Sequence, residues 1–160
     1  MQTSGGARVP RSPSPIRAAR VLLALIALSH LAVPIVMQVD RGVLHDEIAS
    51  RHPGFGATAV TRSVDIAVTS AVVFHGVLLV LCAVLIGKLR TAQPWTRRLT
   101  TASQLLSVAF GAFSWSSTPM FHAVIPVIGA VQLVTVVLLW APRSARAFFA
   151  EGIRRRAAAV

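Results

Sequence analysis

Four apolar stretches, at residues 18–39, 64–87, 99–114 and 120–140, constrain this chain more than any other feature in it. A helix crosses the hydrocarbon layer of a bilayer with about 20 apolar residues. A soluble core has no need to gather its apolar residues into blocks of that length. With 54% hydrophobic and only 13% charged residues, the 160-residue chain is expected to be all-α, a bundle of four transmembrane helices. The membrane domain is placed at 17–142, between a Gly/Pro/Ser-rich disordered tail at 1–16 and a basic tail at 143–160. Arg17 and Arg20 before the first stretch resemble the leading region of a signal peptide. That stretch is too long for a signal core, however, and Val36-Met-Gln-Val-Asp40 offers no small-x-small cleavage site, so it reads as a retained helix.

The formal net charge is +11, and its distribution decides what it means. Four spans put both termini and the second connection on one side, with thirteen Lys and Arg residues against Arg41, Arg51 and Arg62 on the other. Positive charge accumulates on the cytoplasmic side of short loops, so both termini are expected in the cytoplasm. Trp95 and Trp140 fall at inner span ends and Trp115 at an outer one, where amphipathic rings settle. The basic residues hug span ends instead of forming one groove or helix face, which argues against nucleic acid as a partner. Arginine outnumbers lysine fifteen to one and Ala and Val abound, a high-GC composition that suggests a bacterial inner membrane.

The one sizeable polar connection, 40–63, holds a short helix over 43–51 in which Glu47 and Arg51 stand i,i+4 in the favourable order. Pro53, Gly54 and Gly56 end it. The third span is short and polar at its start. Ser103, Ser107 and Gly111 recur every four residues, a small-residue stripe that lets another helix approach closely. It is expected to be buried between its neighbours, or to mediate self-association or contact with a membrane partner. In the basic tail, Phe148, Phe149 and Ile153 alternate with arginines, as in a surface helix resting on anionic headgroups.

The chemistry-bearing residues are few. His30 and His122 each stand four residues before a proline, Pro34 and Pro126, in apolar sequence. A helical proline has no N–H to offer the carbonyl four residues back, so both prolines are expected to kink their helices. Counting rise per residue places His30, His75 and Gln132 near the bilayer midplane and His122 nearer the outer surface. His30 and His75 are the nearest in depth. Polar groups there require partners, and three readings are open. The histidines can be neutral and hydrogen-bonded across helices, to each other or to Gln132. They can ligate a haem from two sides, although no covalent attachment motif is present. Or Asp65, His122 and Asp40 can form an outer entrance to a proton or solute path through His30 and His75, which in so small a bundle would need a dimer. His45, Asp46, Glu47 and His52 lack metal-ligand spacing and read as a solvated helix. Cys82, alone in apolar sequence, is lipid-facing or packed, not reactive.

Ile16-Arg-Ala-Ala-Arg20, Val64-Asp-Ile-Ala67, Val136-Val-Leu-Leu-Trp-Ala-Pro142 and Ser144-Ala-Arg-Ala-Phe-Phe149 together resemble a recurring type of small four-pass integral membrane protein from actinobacteria. The likeness runs over most of 16–150 and leaves the His–Pro pairs outside it. It implies an integral membrane protein and brings neither an activity nor functional residues. The sequence therefore points to a non-enzymatic accessory or interaction subunit, with a small oligomeric transporter and a bis-histidine haem protein as the alternatives.

Overall fold

The computed structural model describes residues 12–115 and 119–158. Most of the 1–16 tail lies outside them. Six α-helices are present: α1 (Ser14–Val39), α2 (Arg41–Arg51), α3 (Ala57–Lys88), α4 (Pro94–Ser114), α5 (Val124–Trp140) and α6 (Arg143–Ala157). Short 3-10 turns follow α3 and precede α5. Among the described residues the fold is all-α.

Two elements are long and apolar enough to cross a membrane, α1 and Ala57–Thr91, which is α3 with its 3-10 extension. A third span is available if α5 and α6, bent by 61° at their junction, count together. The structure thus supports two or three spans where four uniform ones were expected, and helix boundaries explain the difference. α5 opens only at Val124 and has 17 residues. α4 is longer than expected because Pro94 starts it: proline suits the first helical turn, where its missing N–H has no partner to lose. That start takes the polar residues Arg97 and Arg98 into the helix. α1 likewise begins at Ser14, inside the expected tail, with Pro15 in its first turn and Ile16 fully buried. α3 runs to 32 residues, about 48 Å at 1.5 Å per residue, so it extends beyond a bilayer core of about 30 Å.

The helices α1 and α3 form the central antiparallel pair, with α5 packed on α1 and α4 packed chiefly on α5. On α1 the inward positions are Ile16, Ala19, Leu23, Ile26, His30, Val33 and Met37, spaced alternately three and four apart. On α3 the series Val64, Val68, Ala71, His75, Leu78, Cys82 and Leu85 repeats the same spacing. This is the seam of a coiled-coil-like pair, and each helix carries one histidine in it.

Two apolar clusters hold the ends. At the α6 end, Leu23 and Ile26 meet Cys82, Leu89, Leu139 and Phe149. At the α2 end, Met37 and Leu44 meet Val64 and Val68. Cys82, 2% exposed, belongs to the first cluster, so it is packed rather than lipid-facing.

α6 departs from expectation. Its phenylalanines do not rest on headgroups: Phe148 and Phe149 are buried in the protein, and only Ile153 of the apolar set is exposed. Burying one such ring relative to water contributes roughly 1.5–3 kcal/mol. The amphipathic pattern is unchanged, but α1, α4 and the α3–α4 turn supply the apolar partner. The Arg97 guanidinium lies 3.5 Å from the Trp140 ring centroid and 5.3 Å from that of Phe149, bridging α4, α5 and α6 through cation–π contacts. Trp140 donates its indole N–H to Thr101 Oγ1 at 2.8 Å. The arginines 143, 146, 154, 155 and 156 stay exposed on the outward face.

The tightest approach is between α6 and the turn before α4. Ala92 adopts φ 54°, a left-handed conformation rare for a residue with a side chain. A Cβ added at Gly152 would stand 2.1 Å from its carbonyl oxygen. Gly152→Ala is therefore expected to destabilise the folded protein by about 1–3 kcal/mol, the usual range for overpacking. A lowered apparent Tm in detergent, with α6 more open to proteolysis, is the expected result. An unchanged Tm would mean that α6 is not docked.

Candidate functional site

His30 extends the buried row Leu23, Ile26 on α1 by one further turn, which is why its ring points inward and is only 5% exposed. His75 occupies the corresponding place on α3. The two rings meet: Nδ1 of His30 lies 3.0 Å from Nδ1 of His75, with ring centroids 5.2 Å apart and planes inclined at 47°. One imidazole donates and the other accepts, so each partly satisfies the other inside an apolar seam.

Beyond this pair, toward the α2 end, the bundle opens. α1, α3, α4 and α5 enclose a partly open cavity of about 990 Å³. Its walls include Val33, Met37, Phe74, Phe110, Ile125 and Leu133, and no Asp, Glu, Lys or Arg lines it. Space is left because many lining residues are small: Ala71, Ser107, Gly111, Ala112, Gly129 and Ala130. Phe74 and Phe110 meet edge to face with centroids 5.2 Å apart, a contact between α3 and α4. His30 and His75 line the cavity together with Gln132 and Ser107.

Gln132 does not join the histidines directly. Its amide nitrogen donates to Ser107 Oγ at 2.8 Å, linking α5 to α4. The stripe it meets is the one picked out as small. Ser103 is buried with its hydroxyl on the Thr100 carbonyl (2.9 Å), Ser107 takes the Gln132 bond, and a Cβ at Gly111 would touch Ile125 at 3.5 Å. Ser107 and Gly111 thus face α5 of the same chain. α4 is also not buried between neighbours: Leu105, Leu106 and Phe113 of its far side are exposed. Thr100, Thr101 and Ser103 instead satisfy their hydroxyls on carbonyls of their own helix.

The remaining expected residues lie elsewhere. His122 precedes α5; its Nε2 donates to the Trp115 carbonyl at 2.5 Å, and its ring stacks on Trp115 with centroids 4.6 Å apart. Pro126 consequently sits in the first turn of α5, where it starts a helix and does not kink one. Pro34 alone is interior to a helix. Asp65 pairs with Arg41 on the exposed α2–α3 side and lines no part of the cavity. Asp65, His122 and the histidine pair therefore do not form one continuous polar path. In the α2 helix Glu47 pairs with Arg51 at 3.0 Å, and among the described residues no three His, Cys, Asp or Glu side chains gather as a metal set. His30 and His75 touch each other through Nδ1. Phe74 and Phe110 are lining residues that the sequence did not single out, and Trp115 stood out there only as a ring at a span end. The three–four spacing of both seams was the signal for the facing of the two histidines.

Neither a protein-family model, nor a curated protein, nor a solved structure matches this chain.

The contact between the histidines has a measurable energy. Hydrogen bonds across membrane helices average about 0.6 kcal/mol and reach about 1.7 kcal/mol. A double-mutant cycle of His30→Leu and His75→Leu, followed by unfolding in detergent, is expected to show coupling in that range. Strictly additive effects would show that the rings do not meet.

Proposed function

We propose that this protein is a four-span inner-membrane protein with cytoplasmic termini, acting as a non-enzymatic accessory subunit whose cavity opens within the outer half of the bilayer. The observation that carries this reading is the position of the cavity. It lies at the end of the bundle opposite to α6, the helix that bears Arg143, Arg146 and Arg154 to Arg156. Positive charge marks the cytoplasmic side, so that end faces outward.

Four crossings are supported by how α4 and α5 pair. Their far sides present Leu105, Leu106, Phe113, Val127, Val134 and Val137, an apolar surface suited to lipid and poorly suited to water. Outside the apolar layer, the exposed arginines of α6 are available to anionic headgroups. The likeness to small four-pass actinobacterial proteins agrees with this architecture and adds no activity.

The non-enzymatic reading is supported by two of the four serine hydroxyls that line the cavity. Ser107 Oγ is held by Gln132, and Ser29 Oγ donates to the Ile26 carbonyl at 2.7 Å. Neither is poised on an imidazole as a nucleophile would be on its base.

Cysteine accessibility tests the architecture. In a Cys82→Ala background, Ser50→Cys and Ala123→Cys are expected to react with a membrane-impermeant maleimide on intact cells. Ser144→Cys is expected to react only after permeabilisation. Labelling of Ser144→Cys from outside would reverse the topology, and protection of Ala123→Cys would remove the crossing by α4 and α5.

A further inference from the structure

The geometry points to a specific class of ligand for this cavity: an uncharged, lipid-soluble molecule with a single hydroxyl head, a long-chain or cyclic alcohol or phenol. This rests on the reading of the cavity as a place where the protein receives a molecule from the bilayer. Its size is at the upper end of the roughly 300–1,000 Å³ of ordinary small-molecule sites, and its walls are mostly apolar, with His30, His75 and Gln132 among the few polar groups that line it.

What those polar groups can bond follows from the histidine contact. A neutral imidazole carries one N–H and one bare nitrogen. In an uncharged pair joined Nδ1 to Nδ1, the donor ring has its proton on Nδ1, so its Nε2 is a bare acceptor. The accepting ring has a bare Nδ1, so its proton is on Nε2. One contact therefore sets both tautomers. The pair is left with one N–H donor and one acceptor at its two Nε2 atoms, for which no hydrogen bond is present among the described residues. Gln132 gives one of its two amide hydrogens to Ser107 and keeps the other, with its oxygen as a further acceptor.

The histidine pair and Gln132 thus offer two donors and two acceptors without charge. An ammonium or carboxylate head would be desolvated there with no countercharge, at a cost of several kcal/mol. An ether or ketone meets only donors and leaves both acceptors unpaired. A hydroxyl accepts from an N–H and donates to an acceptor, satisfying groups that an apolar chain leaves unpaired.

The test uses the protein in phosphatidylcholine vesicles with two photoactivatable probes, a diazirine-bearing long-chain alcohol and its methyl ether. Cross-linked peptides are mapped by mass spectrometry. The alcohol is expected to label residues 107–133 about fivefold more than the ether, the effect of about one net hydrogen bond. His75→Leu should erase that preference, while His75→Gln, which keeps a donor and an acceptor, should retain part of it. Gly129→Phe enters open space, since a Cβ there meets nothing within 4 Å, and should reduce labelling by both probes. Chromatographic profiles report whether each variant is folded, and the alcohol-to-ether ratio in the unmodified protein stands without any variant. Equal labelling by alcohol and ether, or a preference unaffected by His75→Leu, overturns the hydroxyl assignment while the cavity reading survives. Labelling of the lining by neither probe overturns both.

Discussion

An imidazole carried to the middle of a lipid-length helix must be met by another polar group of the protein, because hydrocarbon supplies none. The contact between His30 and His75 is how this chain meets that demand. It requires α1 and α3 to run antiparallel at one register, and the three–four alternation on both helices provides that register along their full shared length. Sliding either helix by one seam position would set an imidazole against Val, Leu or Ala and leave its ring nitrogens unpaired. The apolar seam supplies the attraction, and the histidine pair makes one register preferable to its neighbours.

The pair also divides the molecule. On one side, Leu23, Ile26, Cys82 and Leu85 fill the seam, and Leu139 with Phe148 and Phe149 closes the end. α6 turns by 61° to reach that position, and only a glycine at 152 allows it to pass the Ala92 carbonyl. On the other side, small residues on α4 and α5 leave a cavity open, with the histidines as its floor. A closed end bearing the arginines and an open end bearing the cavity give the bundle a direction.

Much of this was legible from residue positions. Rise per residue was enough to bring His30 and His75 to one depth, and the structure puts them in contact. Their facing was legible as well, in the seam spacing, which is a stronger signal than the prolines beside His30 and His122. The proline argument failed at Pro126 because its consequence depends on where a helix begins: in a first turn the missing N–H disturbs nothing. The α6 pattern shows that Phe148 and Phe149 are covered, not by what, since lipid and protein demand the same periodicity. For α4, Ser107 and Gly111 of the stripe face α5, and a single stripe describes one neighbour. Its hydroxyls are satisfied locally, so its polarity did not require burial on every side. The cavity has no linear signature, because it arises from small residues spread over helices that meet only in the fold.

The pairing itself can be observed by solid-state NMR of the protein in bilayers, with histidine uniformly labelled with ¹⁵N. The account predicts two imidazoles of opposite tautomer, one protonated at Nδ1 and one at Nε2, joined by a correlation between their Nδ1 nitrogens that disappears in His75→Leu. Two histidines of the same tautomer with no such correlation would contradict it.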